Sequence, residues 1–367
     1  MKADLGIGAR VPVMQSGMRG VAGADLAAAV SNAGGVGVLA VLGLKPDVVR
    51  DQIRAVRALT DQPFGVNIWL HDDVRTQPDV DLVPADIIGA SQAVLNEFRG
   101  RFDLPPTTER PPPRPDVTDA ALDVMIDERI PVFSAGLGLP EPELVERFHA
   151  VGTKVVSMVA TLDDAITAAG NGVDAVIAQG SEAGGHRSFG SKVSASDAMG
   201  KSLFALLPEV VDAIGGGTPV IAAGGIADGR GVAAAIALGA RGALLGTRFV
   251  ATAESMANDA WKQAVIAERP PTTLTDGYSG QWARVIETDF TDRWSESGVT
   301  PPPGLLQASM MADLQSAAKA AGDVHLQPLY AGTSASLIDD LPGAGEVVAR
   351  IAEEIRATLK SALSSAD

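Results

Sequence analysis

One histidine, His186, follows two glycines, Gly184 and Gly185, in the stretch AQGSEAGGHRSFG (178–190). An imidazole exchanges a proton near neutral pH, and glycines beside it let backbone approach another group closely. That combination can serve a general base or an anion-binding group in a loop. The same residues also suit a glycine loop with a surface histidine, so the surrounding elements must decide. The other histidines are weaker candidates. His149 falls near a helix end and His325 beyond the regular repeat, both read as surface. His71 trails an apolar run closely enough to approach a site or to be a plain loop residue. The chain contains no cysteine, which excludes disulfides, thiolate zinc sites, iron–sulfur clusters and cysteine nucleophiles.

Eight short apolar runs recur through the chain, each followed by small or polar residues and then an Ala-rich stretch. They read as strands at 11–15, 36–40, 64–69, 131–134, 154–158, 174–178, 219–223 and 242–246. Near-continuous apolarity marks parallel strands buried on both faces. Helices are expected at 24–33, 46–59, 141–151, 162–170, 202–214 and 228–239. Eight β/α units in succession predict an α/β fold, a TIM (β/α)8 barrel, over a doubly wound open sheet. Two segments fall outside the repeat. Residues 100–116 are proline-rich and read as a long loop or lid. Residues 251–328 read as a smaller added domain, α/β or helical, that follows the eighth strand and flanks the active site. The barrel then comprises 1–250 and 329–367, closing with a helix over 345–363.

In such a barrel the chemistry sits at the C-terminal ends of the strands. The residues expected there are Gln15 to Gly17, Asn67, Ser134 to Gly136, Gln179 to His186, Gly224-Gly225 and Gly246-Thr247. They are small or amide-bearing, which suits a flat ligand held by backbone. The glycines of AAGGIADG (222–229) and LLGTRF (244–249) follow strands seven and eight, where barrels hold a phosphate on backbone N–H groups. AGGVGVLAVLG (33–43) is not a dinucleotide fingerprint, because its glycines stand before and inside a strand. Lys154 opens strand five at the end away from the mouth, so no lysine is placed for a Schiff base. A single phosphate site with the amides of Asn67 and Gln179 points to FMN, the amides orienting the polar edge of its ring. His186 would then lie at the mouth, facing the substrate.

The net charge of −16 disfavours nucleic acid and anionic lipid as partners. No apolar run approaches the ~18 residues of a membrane span, and the N-terminus lacks a signal-peptide layout. A cytoplasmic protein acting on a small molecule is expected, with its oligomeric state open and a homodimer among the options.

Five stretches resemble the nitronate monooxygenases, formerly called 2-nitropropane dioxygenases: 12–37, FGVN (64–67), AQGSEAGGHR (178–187), 218–240 and LLGTRF (244–249). The resemblance implies FMN contacts at Asn67, Gln179, Gly184, Gly185, Gly225, Leu244, Leu245, Gly246 and Thr247, with His186 catalytic. It implies oxidation of alkyl nitronates with O2 to carbonyl compounds and nitrite. His186 would steady the anion or remove the α-proton of a neutral nitroalkane. Two alternatives stay open on these residues. One is an NADH-dependent FMN reductase of the same superfamily, acting on enoyl-acyl-carrier-protein or quinones. The other is a flavin-binding barrel whose catalysis has lapsed.

Overall fold

The computed structural model describes residues 5–75, 79–112, 115–191 and 193–366. Its strands are β1 (Val13–Gln15), β2 (Val38–Ala40), β3 (Gly65–Trp69), β4 (Val132–Gly136), β5 (Lys154–Val159) and β6 (Ala175–Gln179). They continue with β7 (Gly185–His186), β8 (Val220–Ala223), β9 (Gly242–Leu245), β10 (Thr272–Thr275) and β11 (Ala283–Ile286). Eight pair in parallel in the order β1-β9-β8-β6-β5-β4-β3-β2. Just ahead of β2, Val36 bridges Met14, and the Gln15 N–H donates to the Val36 carbonyl at 2.9 Å, which joins the two ends. The architecture is a TIM barrel.

All eight sequence-derived strands are present, and β4 runs two residues further, through Gly136. Two-residue periodicity sorts the side chains. Met14, Val132, Val156, Ile177, Ile221 and Leu244 pack inside the ring, with Leu5 and Ile7. Val66, Phe133, Val155, Val176, Ala222 and Leu245 face the surrounding helices. The six expected helices all form, as Ala24–Asn32, Pro46–Leu59, Pro142–His149, Leu162–Gly170, Leu203–Ile214 and Gly229–Ala237. Pro46 and Pro142 sit in the first turn, where a missing N–H is harmless. The Thr161 and Asp228 side chains accept from the first-turn N–H groups of their helices. None of the described helices is long and apolar enough to cross a membrane.

Between β3 and β4 the chain carries two helices that sequence reading overlooked, Ala85–Arg99 and Thr118–Asp127. The buried face of the first includes Ser91, Gln92 and Arg99, which blurs its apolar stripe. The proline-rich segment after it opens with a short 3-10 turn, Gly100–Phe102, and continues without regular structure; its residues 113 and 114 lie outside the described residues. A second core joins Val80, Ile88, Leu95 and Phe98 to Tyr278, Phe290, Trp294, Leu306 and Leu314. The 251–328 segment therefore shares its core with chain inserted between β3 and β4. It also supplies β10 and β11, whose antiparallel ladder continues onto β7.

Candidate active site

A cavity of about 500 Å³ opens at the C-terminal ends of the barrel strands, within the size range of small-molecule sites. Alternation along each strand selects its lining: Asn67 and Trp69 on β3, Ser134 and Gly136 on β4, Met158 on β5, Gln179 on β6 and Leu244 on β9 all point inward. Loops add Gly184, Gly185 and His186 after β6, Gly224 and Gly225 after β8, and Gly246 and Thr247 after β9. Of the FMN contacts that the resemblance implies, Leu245 alone is outside this lining; of the wider strand-end set, Gln15, Ala135, Gly180, Ser181 and Glu182 are outside it too. The Leu245 side chain faces the helices, and its carbonyl accepts from the Ser16 N–H at 2.9 Å.

His186 is held on every side. Its backbone pairs with Ala283 across β7 and β11, and its carbonyl accepts from Gln179 Nε2 at 2.9 Å. The ring meets Trp69 edge-on at 4.6 Å and lies 5.0 Å from the ring of Tyr330. Nε2 lies 2.9 Å from Ser279 Oγ. Ser279 Oγ is also within 3.2 Å of the Gln281 carbonyl, so its one proton can go to either partner and leave either His186 tautomer satisfied. Burial without a neighbouring carboxylate pushes the imidazole down to about 4, so it is neutral at physiological pH.

Gln179 lines the cavity and its amide is engaged at both ends within the protein. Nε2 donates to the His186 carbonyl, and Oε1 accepts from the Ser188 N–H at 2.8 Å; the side chain fastens the loop that carries His186 to β6. Asn67 donates from Nδ2 to the Ser134 carbonyl at 2.9 Å and to Ser134 Oγ at 3.1 Å. Its Oδ1 accepts from no described protein group. Gly184 has a different reason to be glycine. A Cβ there would lie 2.4 Å from the Gly332 nitrogen and 2.5 Å from the Ala331 carbonyl carbon. The close approach is to the returning chain at 331–332, and it brings Tyr330 beside His186. Gly185 takes φ +78°, and a Cβ there would have nothing within 4 Å. Glu182 lies outside the cavity lining, and its carboxylate accepts from the Leu203 N–H at 2.9 Å, capping helix Leu203–Ile214.

The glycine loops after β8 and β9 form an N–H-rich cradle. Gly224 and Gly225 take φ +109° and +71°. The N–H groups of Gly225, Gly246 and Thr247 donate to no described acceptor, and Ser334 lines the same region. Helix Gly229–Ala237 adds no free donors. Glu354 accepts from the Gly229 N–H at 2.7 Å, and Asp228 accepts from the Arg230 N–H at 2.9 Å.

The remaining histidines are elsewhere. His71 Nδ1 accepts from the Asp73 N–H at 3.2 Å, and the residue lines a neighbouring pocket. His149 and Lys154 share Asp174 at 2.8 and 2.7 Å, and His325 pairs with Asp289 at 3.2 Å. Sequence reading missed Trp69, Ser279 and Tyr330. Trp69 was readable two residues after Asn67, on the same strand face. Tyr330 lies in the returning PLYAGT segment, and Ser279 carries no local signal.

Comparisons with known proteins agree with this geometry. The sequence profile of the family described as "Nitronate monooxygenase" matches residues 5–354. A nitronate monooxygenase of Pseudomonas aeruginosa is 36% identical over 354 residues, covering 95% of this chain and 97% of that one. One from Paraburkholderia phytofirmans is 34% identical over 366 residues, covering 96% and 94%. Among solved structures, a nitroalkane oxidase from Streptomyces ansochromogenes superposes with a TM-score of 0.86 at 33% identity, covering 96% and 97%. FabK from Thermotoga maritima gives 0.75 at 32% identity, covering 98% and 97%. An oxidoreductase by these relationships, the chain belongs to the nitronate monooxygenase family.

Proposed function

We propose that the cavity binds FMN and that the chain uses O2 to oxidise alkyl nitronates to carbonyl compounds and nitrite. The observation that carries this reading is a neutral imidazole and an N–H cradle that line the same cavity. The cradle suits one phosphate: Gly225, Gly246 and Thr247 offer donors with no lysine in the lining, and the carboxylate of nearby Glu182 is turned to the Leu203 N–H outside it. A Cβ at Gly225 would meet Glu182 Cβ at 3.2 Å and would stand on a backbone with φ +71°, so a side chain there is both tight and strained. Asn67 Oδ1 is a spare acceptor for a ring N–H, and Gly184 and Gly185 would complete the wall. When bound, FMN supplies the electron acceptor for the nitronate and the electron donor for O2.

The protein's own part falls to His186. With Ser279 donating to Nε2, the Nδ1–H can donate to a nitronate oxygen and steady the anion. With Nε2–H donating to Ser279, Nδ1 is bare and can receive the α-proton of a neutral nitroalkane. Trp69 and Tyr330 hold the ring and keep bulk water off it.

The test is purification and assay. Extracted cofactor should be FMN, and nitrite should form from a nitronate in step with O2 consumption without NADH. FAD as the extracted cofactor, or no flavin after reconstitution, would remove the cofactor assignment. Strict dependence on NADH with no nitronate turnover would move the chain to the reductase alternative.

A further inference from the structure

A second cavity, of about 420 Å³, lies beside the first. Neighbouring residues divide between the two: Trp69, His186 and Ser279 line the first, His71, Arg187 and Gly280 line the second, and Leu137 lines both. The described lining of the second carries two permanently charged side chains, Arg187 and Asp276. Arg187 is only 2% exposed. Its Nε donates to the Ala198 carbonyl at 3.2 Å and its Nη1 to the Gly180 carbonyl at 2.6 Å, while Nη2 has no described partner. No described carboxylate forms an ion pair with it. Burial and the charge of Arg284 lower its guanidinium to about 10. Glu182 opposes this through space, but its carboxylate is turned to the Leu203 N–H. A buried cation with no counter-ion in contact is costly, and an anion beside it relieves that cost. Asp276, by contrast, already accepts from Trp294 Nε1 at 2.8 Å. The walls are aromatic: Phe189, whose ring lies 5.9 Å from the Arg187 guanidinium carbon, with Trp282 and Trp294.

We propose that this second cavity is a binding site for an aromatic carboxylate, with the acid group on Arg187 and the ring against the indole and phenyl walls. A guanidinium has five N–H donors. The two carbonyls leave Nη2 and one hydrogen of Nη1 for a ligand, and a carboxylate is the group they match best. The cavity is within the size range of sites for small organic molecules. A lone inorganic ion would leave most of that volume, and the aromatic walls, to water. The whole chain carries −16, so its long-range field repels anions. Any preference for an anionic ligand must therefore arise locally, at Arg187. The site stands apart from the reaction proposed at His186 and does not depend on it.

The experiment is calorimetric titration of the full chain as purified, with the flavin it retains. The two probes are 2-naphthoate and 2-naphthamide, which share a ring system and differ in charge. Naphthoate should bind at one site and about tenfold more tightly, the scale of a hydrogen bond to a charged group. Arg187→Met should erase that preference. Because Arg187 also holds the Gly180 and Ala198 carbonyls, this variant can lose its fold, so a second variant fills the cavity instead. Ser295 is exposed on helix Asp289–Ser297 and lines the second cavity alone. Ser295→Trp should abolish binding of both probes, with flavin content and thermal midpoint unchanged. Equal affinity for the two probes in wild type overturns the proposal, as does a preference that survives in folded Arg187→Met. Binding that persists in Ser295→Trp overturns it too, by placing the probes in the first cavity.

Discussion

At His186, desolvation with no compensating charge sets the protonation state, and this has consequences in both stability and rate. An unfolded histidine takes up a proton below about pH 6.5, while the folded imidazole does so only at about 4. Between those values the unfolded chain holds the extra proton, so stability is complete above pH 6.5 and falls as pH drops toward 4. The full difference is about 3 kcal/mol by order of magnitude. Urea midpoints at pH 7 and pH 4.5 should therefore lie closer together in His186→Asn than in wild type; an unchanged gap would place the acid sensitivity elsewhere. Catalysis gives a second reading. His186→Asn should lower turnover of a neutral nitroalkane by about 10²–10⁴-fold, the usual worth of a general base. A preformed nitronate, which has already lost its α-proton, should stay partly active. FMN content is measured alongside, because the loop also shapes the cavity. Equal losses on both substrates with FMN retained would make His186 an anion holder and not a base.

Elements differ in how far the sequence announces them. The barrel strands were legible because burial on both faces writes a continuous apolar run, and Asn67, Gln179 and Gly225 could be placed at strand ends from that alone. The two-residue strand β7 has no period to read, and its partner Ala283 lies in another part of the chain. The same distance hides Ser279 and Tyr330, which meet His186 only through tertiary packing. The contact expected at Leu245 is not made by its side chain, because alternation puts that side chain on the far face from Leu244. Of the two glycines expected to allow a close approach, Gly184 meets the backbone of 331–332 within the protein, whereas a Cβ on Gly185 would meet nothing within 4 Å. A methyl on Gly184 would lie 2.4 Å from backbone, so Gly184→Ala must push 331–332 and Tyr330 away from His186. Overpacking of this kind costs about 3 kcal/mol. Gly185→Ala strains only its own φ of +78°, at about 1 kcal/mol. Thermal unfolding and FMN retention should both rank Gly184→Ala as the more damaging. The reverse order would mean that the crossing with 331–332 tolerates movement.

At the scale of the whole molecule, the cavity wall opposite the barrel belongs to a different core from the barrel itself. Leu305, Ala308, Ala312 and Gln315 line the cavity, and their helices pack in the second core with helix Ala85–Arg99. We propose that 251–328 acts as a unit flanking the active site, and that the insertion before β4 is its structural complement. Arg99 ties the two together. Only 2% exposed, it pairs with Asp313 at 2.9 Å and donates to the Met310 carbonyl at 3.1 Å, with Gln92 and Asn96 accepting its third nitrogen at 2.7 and 2.8 Å. The exposed pair Arg293–Glu97 spans the same boundary but contributes little in water. Removing one partner of a buried pair usually costs about 3–5 kcal/mol. Asp313 is half-exposed and can be hydrated, so Arg99→Met should cost less, about 2 kcal/mol. That loss should be local, because the second core is small and distinct and can open below the global transition. Hydrogen exchange should speed up together in 85–99 and 305–321, while β1 to β6 and β8 keep their protection. KM should rise as the wall loosens, with FMN retained, since the N–H cradle proposed for its phosphate belongs to the barrel. Uniform loss of protection through the barrel strands would show a single cooperative unit and end the two-core description.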